Sequence, residues 1–171
     1  RAKSVLSMVD YIICENPLHS LKLLNKLGIK KKLFSLHDHN EVAVIKKIHQ
    51  YQLNSTIALI SDAGSPLISD PGYKLVLDYI EKNIDVIPIP GPSSIIPALQ
   101  ISGLPVNNFK FYGFVSKNNA AVLSLVKEVE GSDSTSVIFV SGNRIISFLE
   151  AVQSNEIKRG MAVCKEITKK N

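Results

Sequence analysis

The chain has 171 residues, is 45% apolar and carries a formal net charge of +5. That length accommodates one generous domain or two small ones, and no run approaches the ~20 consecutive apolar residues of a membrane span. The sequence therefore predicts a soluble protein with a packed core and no membrane partner. Residue 1 is Arg, and RAKSVLSMVDYIICE reads as the middle of a helix running into a strand. This predicts a native segment ahead of it and leaves a signal peptide undecided.

In chain order, the pattern predicts the last turns of a helix over residues 3–9 and a strand at Tyr11–Cys14. A helix follows over His19–Leu27, where Leu21, Leu24 and Leu27 recur at helical spacing and Gly28 supplies the left-handed stop. Lys32–Leu36 reads as a short strand, and HDHNE opens a helix over Glu41–Gln50 with Asn40 as its cap. Ile57–Ile60 reads as a strand, Tyr73–Lys82 as a helix, Val86–Ile89 as a strand and Ser94–Ile101 as a helix. Such alternation predicts parallel strands with crossover helices. At Gly103 the texture changes, and LPVNNFKFYGFV reads as an extended linker entering a second region. That region contains a helix at Ala120–Glu130, the strand VIFV at 137–140, a helix at Ile145–Val152 and the strand MAVC at 161–164. The predicted organisation is an N-terminal α/β domain over 1–108 and a C-terminal α/β domain over 109–171, the second truncated.

Cys14 and Cys164 lie far apart in apolar, strand-like runs, which suits buried reduced thiols and a cytosolic setting better than a disulfide or a metal site. The basic excess is uneven: Lys26, Lys30, Lys31 and Lys32 cluster, and Lys165, Lys169 and Lys170 crowd the end of the sequence. Such clusters either suit a polyanionic partner or form solvated faces.

Two loops carry the chemistry. SDAGSP (Ser61, Asp62, Ala63, Gly64, Ser65, Pro66) directly follows a strand, and PGPSS (Pro90, Gly91, Pro92, Ser93, Ser94) follows the next one. In an open α/β sheet, loops at the carboxyl ends of parallel strands line the ligand crevice, and small residues let backbone amides approach a bound molecule. Gly64 can take positive φ, Pro66 and Pro71 stiffen the loop, and Ser93 and Ser94 offer hydroxyls and free amides at a helix start. One such loop alone reads as a turn; two at adjacent strand ends read as one small-molecule site. There is no GxGxxG, P-loop, GxSxG elbow, HExxH or CxxC. His37 and His39 flank Asp38 without further clustered ligands, which favours a loop or capping role and no metal.

SDAGSPLISDPGY followed by IPGPSSIIPALQISGLP resembles the tetrapyrrole methylase superfamily, and within it the ribosomal RNA small subunit methyltransferase I family. LFSLHDHNE at 33–41, YGFV at 112–115 and KEITKK at 165–170 extend the likeness over nearly the whole chain. The chain departs from that pattern at Glu15, Asn16, Pro17 and Leu18, where an acidic pair, Thr and Arg are usual, and at SGNR (141–144), which keeps Arg144. The resemblance implies two α/β/α domains of the tetrapyrrole methylase type with S-adenosyl-L-methionine in the cleft between them. It also implies a cytoplasmic homodimer acting on the 2′-hydroxyl of a cytidine in the RNA of the small ribosomal subunit. The expected cofactor residues are Ser61, Asp62, Ala63, Gly64, Ser65, Pro66, Pro90, Gly91, Ser93 and Ser94, with Asp62, Ser93 and Ser94 as polar anchors. Glu41, Glu166 and Lys169 lie in matched motifs and are the candidates for the acceptor side, with helix capping or ion pairing as the competing role for the acids. A tetrapyrrole acceptor and a non-catalytic RNA-binding relative are the alternative functions.

Overall fold

Apolar four-residue runs build the first sheet. β1 (Tyr11–Cys14), β2 (Lys32–Ser35) and β3 (Ile57–Ile60) pair in parallel in the order β2-β1-β3, with Tyr11 beside both Lys32 and Ile57. This is a computed structural model that describes residues 1–51 and 55–169. It divides the chain into two compact units, Arg1–Pro92 and Ser93–Asn171.

Because successive strand residues point to opposite faces, Ile12 and Ile13 of the central strand feed different cores. Ile13 joins Phe34, Leu36, Ile45, Ile48 and Leu75 beneath α3 (Glu41–Tyr51) and α4 (Tyr73–Glu81). Ile12 joins Leu6, Val9, Leu24 and Ile29 beneath α1 (Ala2–Met8) and α2 (Pro17–Lys26). Ile12, Ile13 and Cys14 are wholly buried as a result.

Helix α2 begins at Pro17, two residues before the predicted His19. Proline suits the first helical position, and the Asn16 side chain caps the turn by accepting from the Leu18 and His19 amides at 3.1 and 3.2 Å. Gly28 ends the segment at φ 72°, as its lack of a Cβ allows. Asn40 behaves differently from a simple cap. Its carbonyl accepts from Val44 N, while its side chain turns back to accept from His37 N and donate to the Ser35 carbonyl. It therefore ties the HDHN turn to the end of β2.

Val86–Ile89 does not join the sheet, contrary to the alternating pattern. Strands exist by pairing, Pro88 has no N–H to give a ladder, and Ile84, Val86 and Ile87 stand exposed.

The second unit contains α5 (Ile95–Ile101) and a two-stranded parallel sheet of β4 (Phe109–Phe114) and β5 (Thr135–Phe139). The segment predicted as a linker is thus largely a strand. Its aromatic residues favour a pleated surface, and the Phe111 and Phe114 rings pack on Phe139 at centroid distances of 4.9 and 5.2 Å. Gly113 takes φ 72° where the register shifts between Phe111 and Phe114. Strand β5 starts two residues earlier than VIFV. Helices α6 (Asn119–Glu130, capped by the Asn118 side chain) and α7 (Ile145–Ser154) cover it through Val122, Val126 and Phe148. MAVC at 161–164 forms no strand: Gly160, Met161 and Ala162 line a cavity of about 540 Å³ together with Thr135, Ser136 and Ile138, so no ladder closes there. Cys164 is accordingly half-buried, whereas Cys14 is buried; neither forms a disulfide.

Leu24 is 1% exposed and Leu18, in the same helix, 77%. Urea unfolding should show Leu24→Ala losing about 2–5 kcal/mol and Leu18→Ala changing by less than about 0.5 kcal/mol. Gly72, at φ 125° at the start of α4, leaves no room for a methyl, which would lie 2.7 Å from the Leu59 side chain. Gly72→Ala should therefore cost at least about 1 kcal/mol in the same assay, because both backbone and neighbour must give.

Candidate functional site

The strand order reverses around β1. The chain leaves β1 through α2 on one face to reach β2, then returns through α3 on the other face to reach β3. The loops after β1 and β3 therefore diverge, toward α2 and α4, and open a crevice at the carboxyl ends of those two strands. Crevices at such reversals are where open α/β sheets hold ligands.

SDAGSPLISDPG spans this rim from Ser61 to Gly72, between β3 and α4. Four of its residues have positive φ: Gly64 (77°), Leu67 (70°), Ser69 (62°) and Gly72 (125°). Two of these are not glycine, and backbone held in such conformations is characteristic of ligand clamps. Around Gly64 nothing lies within 4 Å of where a Cβ would stand, so its backbone can be approached closely. The Ser61 hydroxyl lies 3.4 and 3.3 Å from the Ala63 and Gly64 carbonyls and folds the turn on itself. Ser65 donates to the Pro92 carbonyl at 3.3 Å. That bond joins the two predicted loops, with Pro66 following Ser65 and with Pro90 and Gly91 leading into Pro92.

Asp62 is the distinctive group. One of its carboxylate oxygens, Oδ1, is buried without a hydrogen-bond partner, an arrangement that proteins rarely leave uncompensated. Other carboxylates surround it. Burial raises the Glu15 pKa first, and the charges of Asp62, Asp70 and Asp38 raise it further. Asp70 is raised by burial and by Asp62, against a hydrogen bond from Ser61 that lowers it. The loops after all three strands thus contribute acid to one rim, and a cation there would be favoured by every one of these charges. Burial pushes the Cys14 thiol up, and Asp62 adds to this, so the thiol beneath the rim is protonated and unreactive.

The other predicted residues are placed differently. Glu41 is 5% exposed, and its Oε1 accepts from Lys74 N at 3.1 Å, so it caps α4 directly after the loop. In the second unit, Ser94 is the N-cap residue of α5, its carbonyl accepting from Ala98 N while its side chain makes no cap bond, and Ser93 precedes it. Glu166 and Lys169 pair at 2.6 Å on an exposed turn, and the Lys169 ammonium lowers the Glu166 pKa. None of the predicted site residues lines the cavity between β5 and residues 160–162. There the Arg159 guanidinium donates to the Ser132 and Ser134 carbonyls. Among the described residues, no group of three or more His, Cys, Asp or Glu could hold a metal ion; His37 and His39 stack edge-on at 6.1 Å.

The sequence reading did not single out Glu15 and Asp70 as site residues. The available signal was that CEN, HDH and SDP each set an acid near the carboxyl end of a strand or its loop, which gains meaning once the strands are known to be adjacent.

The sequence model of the Tetrapyrrole (Corrin/Porphyrin) Methylases matches residues 1–171. Among curated proteins, the chain is 37% identical over 170 residues to "Ribosomal RNA small subunit methyltransferase I" of Halalkalibacterium halodurans, covering 99% of this chain and 59% of that protein. It is 39% identical over 173 residues to the protein of the same name from Vibrio cholerae, again covering 99% and 59%. With the Haemophilus influenzae protein of that name the identity is 40% over 175 residues, covering 99% and 60%. The chain therefore spans about three fifths of the length of the curated relatives it matches. Because the match runs through both loops of the switch-point rim and on to the last residue, the chain belongs to the tetrapyrrole (corrin/porphyrin) methylase family.

Proposed function

We propose that this chain carries the donor site of a methyltransferase that uses S-adenosyl-L-methionine to methylate the 2′-hydroxyl of a cytidine in small-subunit ribosomal RNA, in the cytoplasm. The observation that carries the donor half is the orphaned Asp62 oxygen inside an acidic rim at the strand-order reversal. The donor is cationic at sulfur and at its amino group and bears ribose hydroxyls, so it offers both the charge and the hydrogen-bond donors that this rim lacks. When bound, it supplies an activated methyl group. The names of the relatives support the ribosomal RNA half.

The roles of the chain's own groups follow from their placement. Asp62 accepts a hydrogen bond from the donor. The open backbone at Gly64 and its neighbours Ser61, Ala63, Ser65 and Pro66, together with Pro90 and Gly91 across the Ser65–Pro92 bond, is assigned to the walls. The hydroxyls of Ser93 and Ser94, next in the chain, are assigned as further anchors. Glu41 is a positioning residue, because its buried carboxylate fixes the start of α4 and with it the far end of the loop. A methyl transfer of this kind depends mainly on alignment of acceptor oxygen, methyl and sulfur. The ribose hydroxyl must also lose its proton. Glu166 and Lys169 are assigned to the acceptor side, where the Lys169 ammonium, held by Glu166, can meet the ribose–phosphate backbone.

Removing a hydrogen-bonded charged acceptor costs about 1.5–3 kcal/mol, so Asp62→Ala should weaken donor binding by roughly 10- to 150-fold in calorimetry. Unchanged affinity in a folded variant would remove Asp62 from the site. Transfer of labelled methyl from the full-length protein to small ribosomal subunits tests the acceptor, and labelling of a precorrin instead would return it to a tetrapyrrole.

The rim also predicts pH dependence. Glu15 and Asp70 are raised in the folded protein, so they contribute stability below the ordinary carboxylate range and lose it as pH rises through their raised values. At neutral pH, Glu15→Gln should therefore raise the melting temperature. It should also weaken binding of the cationic donor, and wild-type affinity should fall on acidification through the same range. S-adenosylhomocysteine, which lacks the sulfonium charge, should show a smaller pH dependence.

A further inference from the structure

The opposite edge of the first sheet has its own chemistry. In βαβ units the crossover helices run antiparallel to the strands, so the last turns of α2 and α3 and the first residues of β2 all lie at the amino edge. Lys26 ends α2, Lys30 and Lys31 lie in the connection that follows, and Lys32 opens β2. To this group, already contiguous in sequence, the fold adds Lys47 from the second half of α3. The Lys32 ammonium sits 5.3 Å from the Phe34 ring centroid and 6.0 Å from that of Tyr11. The Lys47 ammonium sits 5.8 Å from the same Phe34 ring. Tyr11 and Phe34 themselves pack edge-on at 5.6 Å, with Phe34 buried in the core.

Two cations from different elements are thus seated by cation–π contact on one aromatic pair. They are brought together rather than dispersed into solvent. Two acids of this region have partners of their own, although the Asp10 charge also faces Lys31. Asp10 accepts from Thr56 N and Oγ1 at 2.8 and 3.0 Å, and Asp78 is bound to His49 and Lys82. Among the described residues, no ion pair holds Lys26, Lys30, Lys31 or Lys47.

We infer that this amino edge, built from Lys26, Lys30, Lys31, Lys32 and Lys47 around the Tyr11–Phe34 pair, is a docking surface for the phosphate backbone of folded RNA. It lies across the sheet from the acidic rim. Four residues of strand span about 13 Å, so RNA held here is gripped away from the repulsive carboxylates of the donor site. Only the choice of RNA as the polyanion rests on the function proposed above; the surface itself rests on the clustered, aromatic-seated lysines.

The test uses the full-length protein, a fluorescein-labelled stem-loop RNA and anisotropy titrations over a range of salt concentrations, with donor binding measured in parallel by calorimetry. Each phosphate contact contributes about 0.7–0.9 to the slope of log affinity against log salt. The triple variant Lys30→Gln/Lys32→Gln/Lys47→Gln should flatten that slope by about 2 and weaken RNA binding at least tenfold, with donor affinity unchanged. Because Lys32 and Lys47 touch a core ring, Lys30→Gln/Lys31→Gln serves as a second variant that leaves the aromatic pair alone, and it should flatten the slope by about 1–2. An unchanged slope in both variants would overturn the surface, as would tight binding to phosphatidylserine vesicles with none to RNA. A wild-type protein whose RNA binding has a salt slope that both variants flatten, but which takes up no donor, would leave the surface standing and sink the methyl-donor reading alone.

Discussion

The parallel ladder that pairs β1 on both of its edges is the constraint on which the first unit depends. Once Tyr11–Cys14 lies between β2 and β3, Ile12 and Ile13 must face opposite sides, and each side needs its own helix layer to exclude water. The helices that meet this need leave β1 and β3 toward different faces. The crevice is therefore a by-product of covering a doubly paired strand.

The same arrangement gives the sheet an electrostatic axis. Helices α2 and α4 start at the carboxyl edge and α2 and α3 end at the amino edge, so positive and negative ends of their peptide dipoles collect at opposite sides. The acidic groups at the first edge and the lysines at the second complement those dipoles. Glu41 at the amide of Lys74 is one such interaction, and Lys26 in the last turn of α2 is another. Dipole complementarity accounts for the sign of each edge but not for its excess. It leaves an aspartate oxygen buried without a partner on one side and two ammonium groups gathered on one aromatic ring on the other. Those residual features are what a ligand on each side would satisfy.

Gly64 and Gly72 meet different demands within one loop. Both have positive φ, yet Gly72 is hemmed in by Leu59 while Gly64 faces open space. Gly72 seats the start of α4 on the core, and Gly64 keeps the backbone approachable. Leu67 and Ser69 between them hold strained conformations, which the cap on α4 from Glu41 and the Ser65–Pro92 bond help to keep in place.

Much of this was legible in the order of residues alone. Apolar runs with β-branched residues, leucines at helical spacing, Gly28 after a helix and the small-residue loop after β3 are local signals, and local signals specify elements where side-chain pattern and backbone preference agree. Strand membership was less legible. Val86–Ile89 and 161–164 carry strand-like composition but find no ladder, whereas Phe109–Phe114, which looked like a linker, pairs with β5. Pairing is a property of two segments, so neither outcome can be read from one. The acidic rim and the seated lysines belong to the same class: Glu15, Asp38, Asp62 and Asp70 come from loops after three strands, and Lys47 joins Lys32 only through the packing of α3 on Phe34. Sequence by itself determined the alternation of elements and the loop able to approach a ligand. Tertiary structure decided which charges meet, because electrostatic interaction depends on distance in space and not on separation along the chain.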